Sequence, residues 1–314
     1  MDQSSQLQSG IGRWFLAWIG FEDTDIDYLR WLFVLLSPSV AVFLLPAIIL
    51  ILLYISSILI VITKHHRRIF RKAIHDDPWD GCRGLACAFW DGTSKFWHGY
   101  EVVGMENIPD KGGALLIFYH GALPIDVYYM VAKIYLYKER LVRSVADRFV
   151  FKTPGFGPVL QAFKVIPGTI QSCTEILEGG NLLAIAPGGV YEALLGDHYY
   201  ELLWKNRIGF AKVAVNAKVP VIPVFTVNVR ETFRSVQFFK NIWKWLYNRT
   251  RLPLVPIYGG FPVKLKTIVG KPIEHDPTSE PEELAEKVAR AIKKIRDENQ
   301  KIPGSIWRAL LERL

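Results

Sequence analysis

Cysteine is scarce in this chain: Cys82, Cys87 and Cys173 are the only three, irregularly spaced. They offer neither a disulfide framework nor a zinc or iron–sulfur ligand pattern, which suits a domain facing a reducing compartment. No His, Asp and Glu cluster has metal-ligand spacing, so no metal is expected. Phosphate-cradling loops are missing too, since Gly155 and Gly157 form only a proline-flanked turn beside Pro154 and Pro158. Neither an internal repeat nor a low-complexity tract is visible. The largest absence is charge between Trp31 and Thr63, 33 positions broken by Pro38, Pro46 and a few hydroxyls.

A helix needs ~20 residues to cross a bilayer core, so that run reads as a membrane anchor. It begins too late and runs too long for a cleaved signal peptide. Two arrangements fit. A hairpin turning near Pro46 has legs of about 15 to 17 residues, at or just below the lower limit for a crossing. The rival is one span from about Val42 to Thr63, preceded by an interfacial helix; the hairpin is preferred. Downstream lie Lys64, Arg67, Arg68, Arg71 and Lys72, against only Arg13 and Arg30 upstream. Positive residues stay inside, which places residue 64 onward in the cytoplasm.

What the chain has in abundance is aromatic and basic. Hydrophobic residues make up 50%, with 10 Trp, 18 Phe and 13 Tyr, and the net charge is +8. The cations are interleaved with aromatics and follow an apolar span, so the expected partner is a membrane and no nucleic acid. Phe238, Phe239, Ile242, Trp243, Trp245, Leu246 and Tyr247, among Lys240, Lys244, Arg249 and Arg251, have the composition of an interfacial helix, with a surface helix packed on the core as the alternative. The run Ile306 to Leu314 is a weaker version, open between membrane contact and packing on the domain. The sequon Asn248-Arg249-Thr250 should stay unmodified if the domain is cytosolic.

From about residue 100 apolar strand-like runs alternate with helical patterns. Strands are expected at 114–119, 141–146, 182–186, 219–227 and 264–269, and helices near 125–137, 170–178, 205–217 and 281–298. Such alternation predicts an α/β domain with a largely parallel central sheet flanked by helices. The expected division is an N-terminal interfacial segment 1–30, the anchor 31–63 and a basic linker 64–99. The main domain 100–300 and a C-terminal amphipathic helix 301–314 follow. In the linker Pro78, Gly81 and Gly84 are expected to interrupt any long helix.

The chemistry concentrates in Phe118-Tyr119-His120-Gly121-Ala122-Leu123-Pro124-Ile125-Asp126. A histidine at a strand end with a carboxylate at the next helix start matches a general base and its orienting partner. Acyl transfer to an alcohol needs the hydroxyl proton removed as oxygen attacks a thioester or ester carbonyl. A neutral imidazole whose other nitrogen is held by a carboxylate does this near pH 7. On the residues alone, a structural histidine fits as well.

Three further blocks follow in order. They are Lys152-Thr153-Pro154-Gly155 with Ile166-Pro167-Gly168, then Ala186-Pro187-Gly188-Gly189-Val190-Tyr191-Glu192-Ala193-Leu194, then Val219-Pro220-Val221-Ile222-Pro223-Val224. With them the chain resembles the glycerolipid acyltransferase superfamily over most of residues 95–275. The family's first motif separates histidine and aspartate by four residues; here there are five, an insertion that Pro124 can absorb by starting the helix. Phosphate-using members carry a Pro-Glu-Gly-Thr-Arg type third block, whereas Tyr191 stands here where a cation is expected. A phosphate acceptor thereby loses its bidentate partner. With Arg207-Ile208-Gly209-Phe210, the pattern looks like the diacylglycerol acyltransferase branch.

The resemblance implies an O-acyltransferase at the cytosolic face of the endoplasmic reticulum membrane, making triacylglycerol from diacylglycerol without an acyl-enzyme. His120 is its implied base and Asp126 the orienter. Pro187, Gly188, Gly189 and Glu192 are expected around the substrate, the glycines admitting it closely and offering amides to an oxyanion. Arg148, Lys152 and Arg207 are expected to meet coenzyme A phosphates. No bound cofactor is implied, since acyl-coenzyme A is the donor substrate, with a membrane-lipid ester as the alternative. A lysophospholipid acceptor is the second reading, and an inactive lipid-binding scaffold, resting on the extra first-motif residue, the third.

Overall fold

The computed structural model describes residues 23–70, 79–204, 206–250 and 252–314. The expected N-terminal segment up to residue 22 and the linker residues 71–78, with Arg71 and Lys72, lie outside the described residues.

Helix α1 (Asp23–Phe70) carries the whole uncharged run. The expected turn near Pro46 does not occur: the chain passes through Pro38 and Pro46 as one helix. A proline removes one backbone bond, but an apolar helix continues where tertiary packing offsets the loss. Leu32–Ile62 is long and apolar enough to cross a membrane. From Phe43 onward one face is docked on the domain. Ile49, Leu53 and Ile60 are buried, Tyr54 Oη donates to the Pro154 carbonyl at 2.9 Å, and Ser57 Oγ donates to that of Gly155 at 2.6 Å. Phe33, Leu35 and Ile58, among others, remain exposed.

Helix α2 (Asp80–His98) corrects the linker expectation, because Gly81 and Gly84 do not prevent a helix of 19 residues. A glycine costs about 1 kcal/mol in a helix interior, less than is gained by burying Cys82, Ala86, Cys87 and Trp90 along one face. The helix ends at Gly99 in the left-handed region, φ +50°.

The strands and helices that follow are β1 (Glu101–Val103), β2 (Ala114–Phe118), α3 (Ile125–Lys138), β3 (Val142–Ser144), α4 (Gly157–Ala162), α5 (Ile170–Glu178), β4 (Leu182–Ile185), α6 (Gly189–Leu195) and α7 (Gly209–Ala217). Then come β5 (Val221–Val227), α8 (Val229–Thr232), β6 (Phe233–Ser235), α9 (Lys240–Thr250), β7 (Ile257–Gly259), β8 (Lys266–Val269), α10 (Pro281–Asn299) and α11 (Ile306–Leu311). Each of the five expected strands and four expected helices coincides with one of these. The additional β1, β6 and β7 have three residues each, too short to show a period.

Six strands form one sheet in the order β1-β8-β5-β2-β4-β3, parallel except where β8 meets β5. Residues alternate across it, as a period of two requires. Leu115 and Ile117 of β2 face Val213 and Ala214 of α7 and Val288 and Ile292 of α10. Leu116 and Phe118 face Val127, Met130, Val131 and Ile134 of α3. Burial on this scale contributes about 1.5–3 kcal/mol per large aliphatic side chain. Helix α2 lies over α3, joined by the Lys133–Asp91 ion pair at 2.8 Å.

Register decides where function can sit. Ile117 pairs with Ile185 and Phe118 with Val224, so parallel β2 and β4 end within a residue of each other while β5 runs on to Val227. Their exits carry His120, Pro187–Glu192 and Asn228–Arg230. The carboxyl edge of a parallel sheet is where open α/β folds place their ligands.

Candidate active site

His120 leaves β2 half-buried, with its backbone gripped from two sides. Its N–H donates to Glu192 Oε2 at 3.0 Å, and its carbonyl accepts from Arg230 Nη2 at 3.0 Å. The other Glu192 oxygen accepts from the Leu203 N–H at 2.9 Å. Arg230, fully buried, also donates from Nε to Tyr119 Oη at 2.9 Å and from Nη1 to the Ala193 carbonyl at 2.9 Å. Its Nη2 reaches the Glu192 carbonyl as well. One carboxylate and one guanidinium thus rivet the end of β2 to α6.

The clamp explains two glycines. A Cβ at Gly188 would lie 2.4 Å from Glu192 Cβ, and one at Gly196 would lie 2.1 Å from Arg230 Nη2. Gly188 is therefore small enough to admit Glu192. Gly189, at φ +50°, donates its N–H to the Ala186 carbonyl at 3.0 Å. That amide is already used, against the expected oxyanion role. Burial pushes Glu192 up to about 7, with its two backbone donors and the charges of Arg230 and Arg207 opposing.

The imidazole of His120 has a defined proton. Nδ1 lies 2.6 Å from the Gly121 carbonyl oxygen, and a carbonyl only accepts. Nδ1 therefore carries the hydrogen and Nε2 keeps its lone pair. Burial lowers the ring to about 4, opposed by the Gly121 bond and assisted by the Arg230 charge, so it is neutral at pH 7.

Asp126, in the first turn of α3, is buried. Burial pushes it up to about 6, against a hydrogen bond from Thr226, backbone amides and the Arg230 charge. No hydrogen bond joins it to His120; the Gly121 carbonyl holds the position expected of the carboxylate. Among the described residues Asp126 Oδ1 has no hydrogen-bond partner. Behind it Thr226 Oγ1 and Thr267 Oγ1 lie 2.8 Å apart, and Tyr100 Oη donates to Thr267 at 2.7 Å.

Arg207 Nη1 donates to the Pro187 and Gly188 carbonyls at 3.0 and 2.8 Å. A cavity of about 400 Å³ opens beside it, lined by Ile185, Pro187, Phe210 and Lys212 among others. Arg148 and Lys152 are exposed beyond β3, two strands from the one bearing His120, and the structure brings neither to it. Among the described residues no group of His, Cys, Asp and Glu is arranged to hold a metal. Arg230 escaped the sequence reading; the available signal was a charged pair, Arg230-Glu231, directly after the fully buried β5.

His120 and the third block thus meet at the carboxyl edge of the sheet, and comparison with known proteins gives the class as acyltransferase. The acyltransferase family model matches residues 99–227, which include His120, Asp126 and the third block. The "DGAT1/2-independent enzyme synthesizing storage lipids" of Bos taurus is 49% identical over 302 residues, covering 95% of this chain and 89% of that protein. Its Homo sapiens counterpart is 48% identical, covering 94% and 91%. The crystal structure of the 1-acyl-sn-glycerophosphate (LPA) acyltransferase PlsC from Thermotoga maritima aligns with a TM-score of 0.47 and 18% identity, over 79% of this chain and 96% of that one. At that distance it says nothing of the acceptor. The chain belongs to the acyltransferase family, in the group of transmembrane protein 68.

Proposed function

We propose that this acyltransferase moves a fatty acyl group from acyl-coenzyme A to the hydroxyl of diacylglycerol, or a related neutral lipid, at the cytosolic face of the endoplasmic reticulum. The observation that carries the mechanism is the His120 imidazole, neutral, with Nδ1–H fixed on Gly121 and, among the described residues, no hydrogen-bond partner at Nε2. Nε2 takes the hydroxyl proton as oxygen attacks the thioester carbonyl. The tetrahedral intermediate then expels the thiolate, which recovers the proton from the imidazolium, and no acyl-enzyme forms. As charge develops on the ring, a small shift of the loop would let Nδ1–H exchange the Gly121 carbonyl for Asp126 Oδ1, which has no hydrogen-bond partner among the described residues. A carboxylate holds that proton about twice as strongly as a carbonyl.

Two further observations support a neutral acceptor. Tyr191 replaces the cation of the third block, and the neighbouring Arg207 spends Nη1 on two backbone carbonyls. Arg207 and Lys212 instead put positive charge on the rim of the 400 Å³ cavity, which fits the phosphates of coenzyme A. The relatives' printed name, storage-lipid synthesis, agrees. Given diacylglycerol and lysophosphatidate in equal amounts, the purified protein should favour triacylglycerol at least tenfold. Preferential phosphatidate synthesis would install the lysophospholipid reading instead.

The pH profile tests the roles separately. His120 is lowered, hence neutral above about 4; Asp126 is raised, hence ionised only above about 6. The acid limb of kcat/KM is therefore expected near 6, set by Asp126. In Asp126→Asn it should move down towards 4, with a plateau lower by roughly 10- to 100-fold. A limb that stays near 6 in the variant would remove Asp126 from the mechanism.

A further inference from the structure

Charge is unevenly distributed along this chain. Residues 232–273 contain eight Lys and Arg and no acid, leaving 30 Lys and Arg against 30 Asp and Glu elsewhere. An excess of +8 thus lies in one stretch, which contains β6, α9, β7 and β8; Lys240, Lys244 and Arg249 of it stand on α9.

Helix α9 has two unlike faces. Tyr247, buried, and Trp243, half-buried, pack with Leu194 and Leu195 of α6. Away from that contact Phe238, Phe239, Ile242 and Trp245 are 79%, 69%, 53% and 65% exposed; Ile242 and Trp245 share a helix face at i,i+3, and the two Phe stand in the turn just ahead of it. Phe239 holds φ +59°, a conformation that bulky residues rarely adopt and that persists where its surroundings fix it. Lys244 and Arg249 lie exposed on the same helix. Each large apolar side chain left in water forfeits about 2 kcal/mol, and clusters of them mark interaction sites. Apolar rings bounded by cations match the boundary of an anionic bilayer.

The surroundings select a membrane over a protein partner. Helix α9 joins β6 to β7, the hairpin on which α1 docks through Phe43, whose ring is 6.1 Å from that of Tyr258. The apolar α1 and the apolar face of α9 therefore adjoin one hairpin. We propose that α9, with Phe238 and Phe239 ahead of it, is a second membrane contact lying in the headgroup–acyl boundary of an anionic lipid surface. It keeps α6, which α9 packs on, beside the lipid. Nothing in it depends on the proposed chemistry.

All three native cysteines are buried, so an introduced one can be labelled selectively. A nitroxide on Trp245→Cys, in the full chain reconstituted into nanodiscs of phosphatidylcholine and phosphatidylserine, should be several-fold more accessible to oxygen than to a water-soluble nickel complex. A label on Glu286→Cys, at an exposed position of α10, should show the reverse. Ile242→Cys gives the same readout should the Trp245 variant not fold. Nickel accessibility at 242 and 245 equal to that at 286 would overturn the proposal. Lipid burial unchanged in pure phosphatidylcholine would overturn its anionic preference.

Discussion

His120→Ala is expected to lower acyl transfer by roughly 10²- to 10⁴-fold, the usual contribution of a positioned general base, in a protein that still folds. The two properties separate because of where the contacts lie. The grip of Glu192 and Arg230 on this residue is through its N–H and carbonyl, which alanine retains. The partly buried ring gives up a bond to its own neighbour, Gly121, and a contact with the Phe118 ring. Lipid product formation measured beside a thermal scan checks both halves. Turnover within a few-fold of wild type would remove His120 as the base, and loss of the folded transition would make it a structural residue.

Arg230→Met is expected to have the largest effect on stability. The substitution strips donors from the carbonyls of His120, Glu192 and Ala193 and from Tyr119 Oη. It also removes the cation nearest the buried Glu192. Breaking a buried charged network from one side costs about 3–5 kcal/mol. In a domain of this size each kcal/mol lowers Tm by roughly 2–4 °C, so a fall on the order of 10 °C follows. Lysine should not rescue it, because one ammonium cannot reproduce a planar fork reaching four acceptors. A melting temperature within 2 °C of wild type would show that the clamp does not hold these elements together.

The elements legible in the sequence were those whose burial leaves a local mark. β2, β4 and β5 are apolar runs bounded by Gly113, Asn181, Pro187 and Pro220, and α3 and α10 have helical spacing. Helix α2 was obscured because Pro78, Gly81 and Gly84 signal a break, while the packing of Cys87 and Trp90 that outweighs it is tertiary. Pro46 misled in the same way, suggesting a hairpin where α1 continues. At the site, His120 and Glu192 stand in recognisable blocks, so both could be named. Their contact could not, since it depends on the parallel alignment of β2 with β4. Arg230 lies outside every block and acquires its role only when the end of β5 comes alongside that of β2. The missing His120–Asp126 bond is likewise a loop property. Gly121 is packed so closely on Val229 that a Cβ would lie 2.5 Å from its Cγ2, and from there its carbonyl reaches the imidazole.

Direct transfer to a lipid hydroxyl is tested most sharply by following one labelled acyl group. Purified full-length protein in mixed micelles would receive radiolabelled oleoyl-coenzyme A and diacylglycerol, and the acid-quenched reaction would be separated into lipid and protein. The expected result is label in triacylglycerol, growing with time, and none bound to protein at any point. Label retained covalently on the protein, or no labelled triacylglycerol at all, would contradict transfer by a single histidine base.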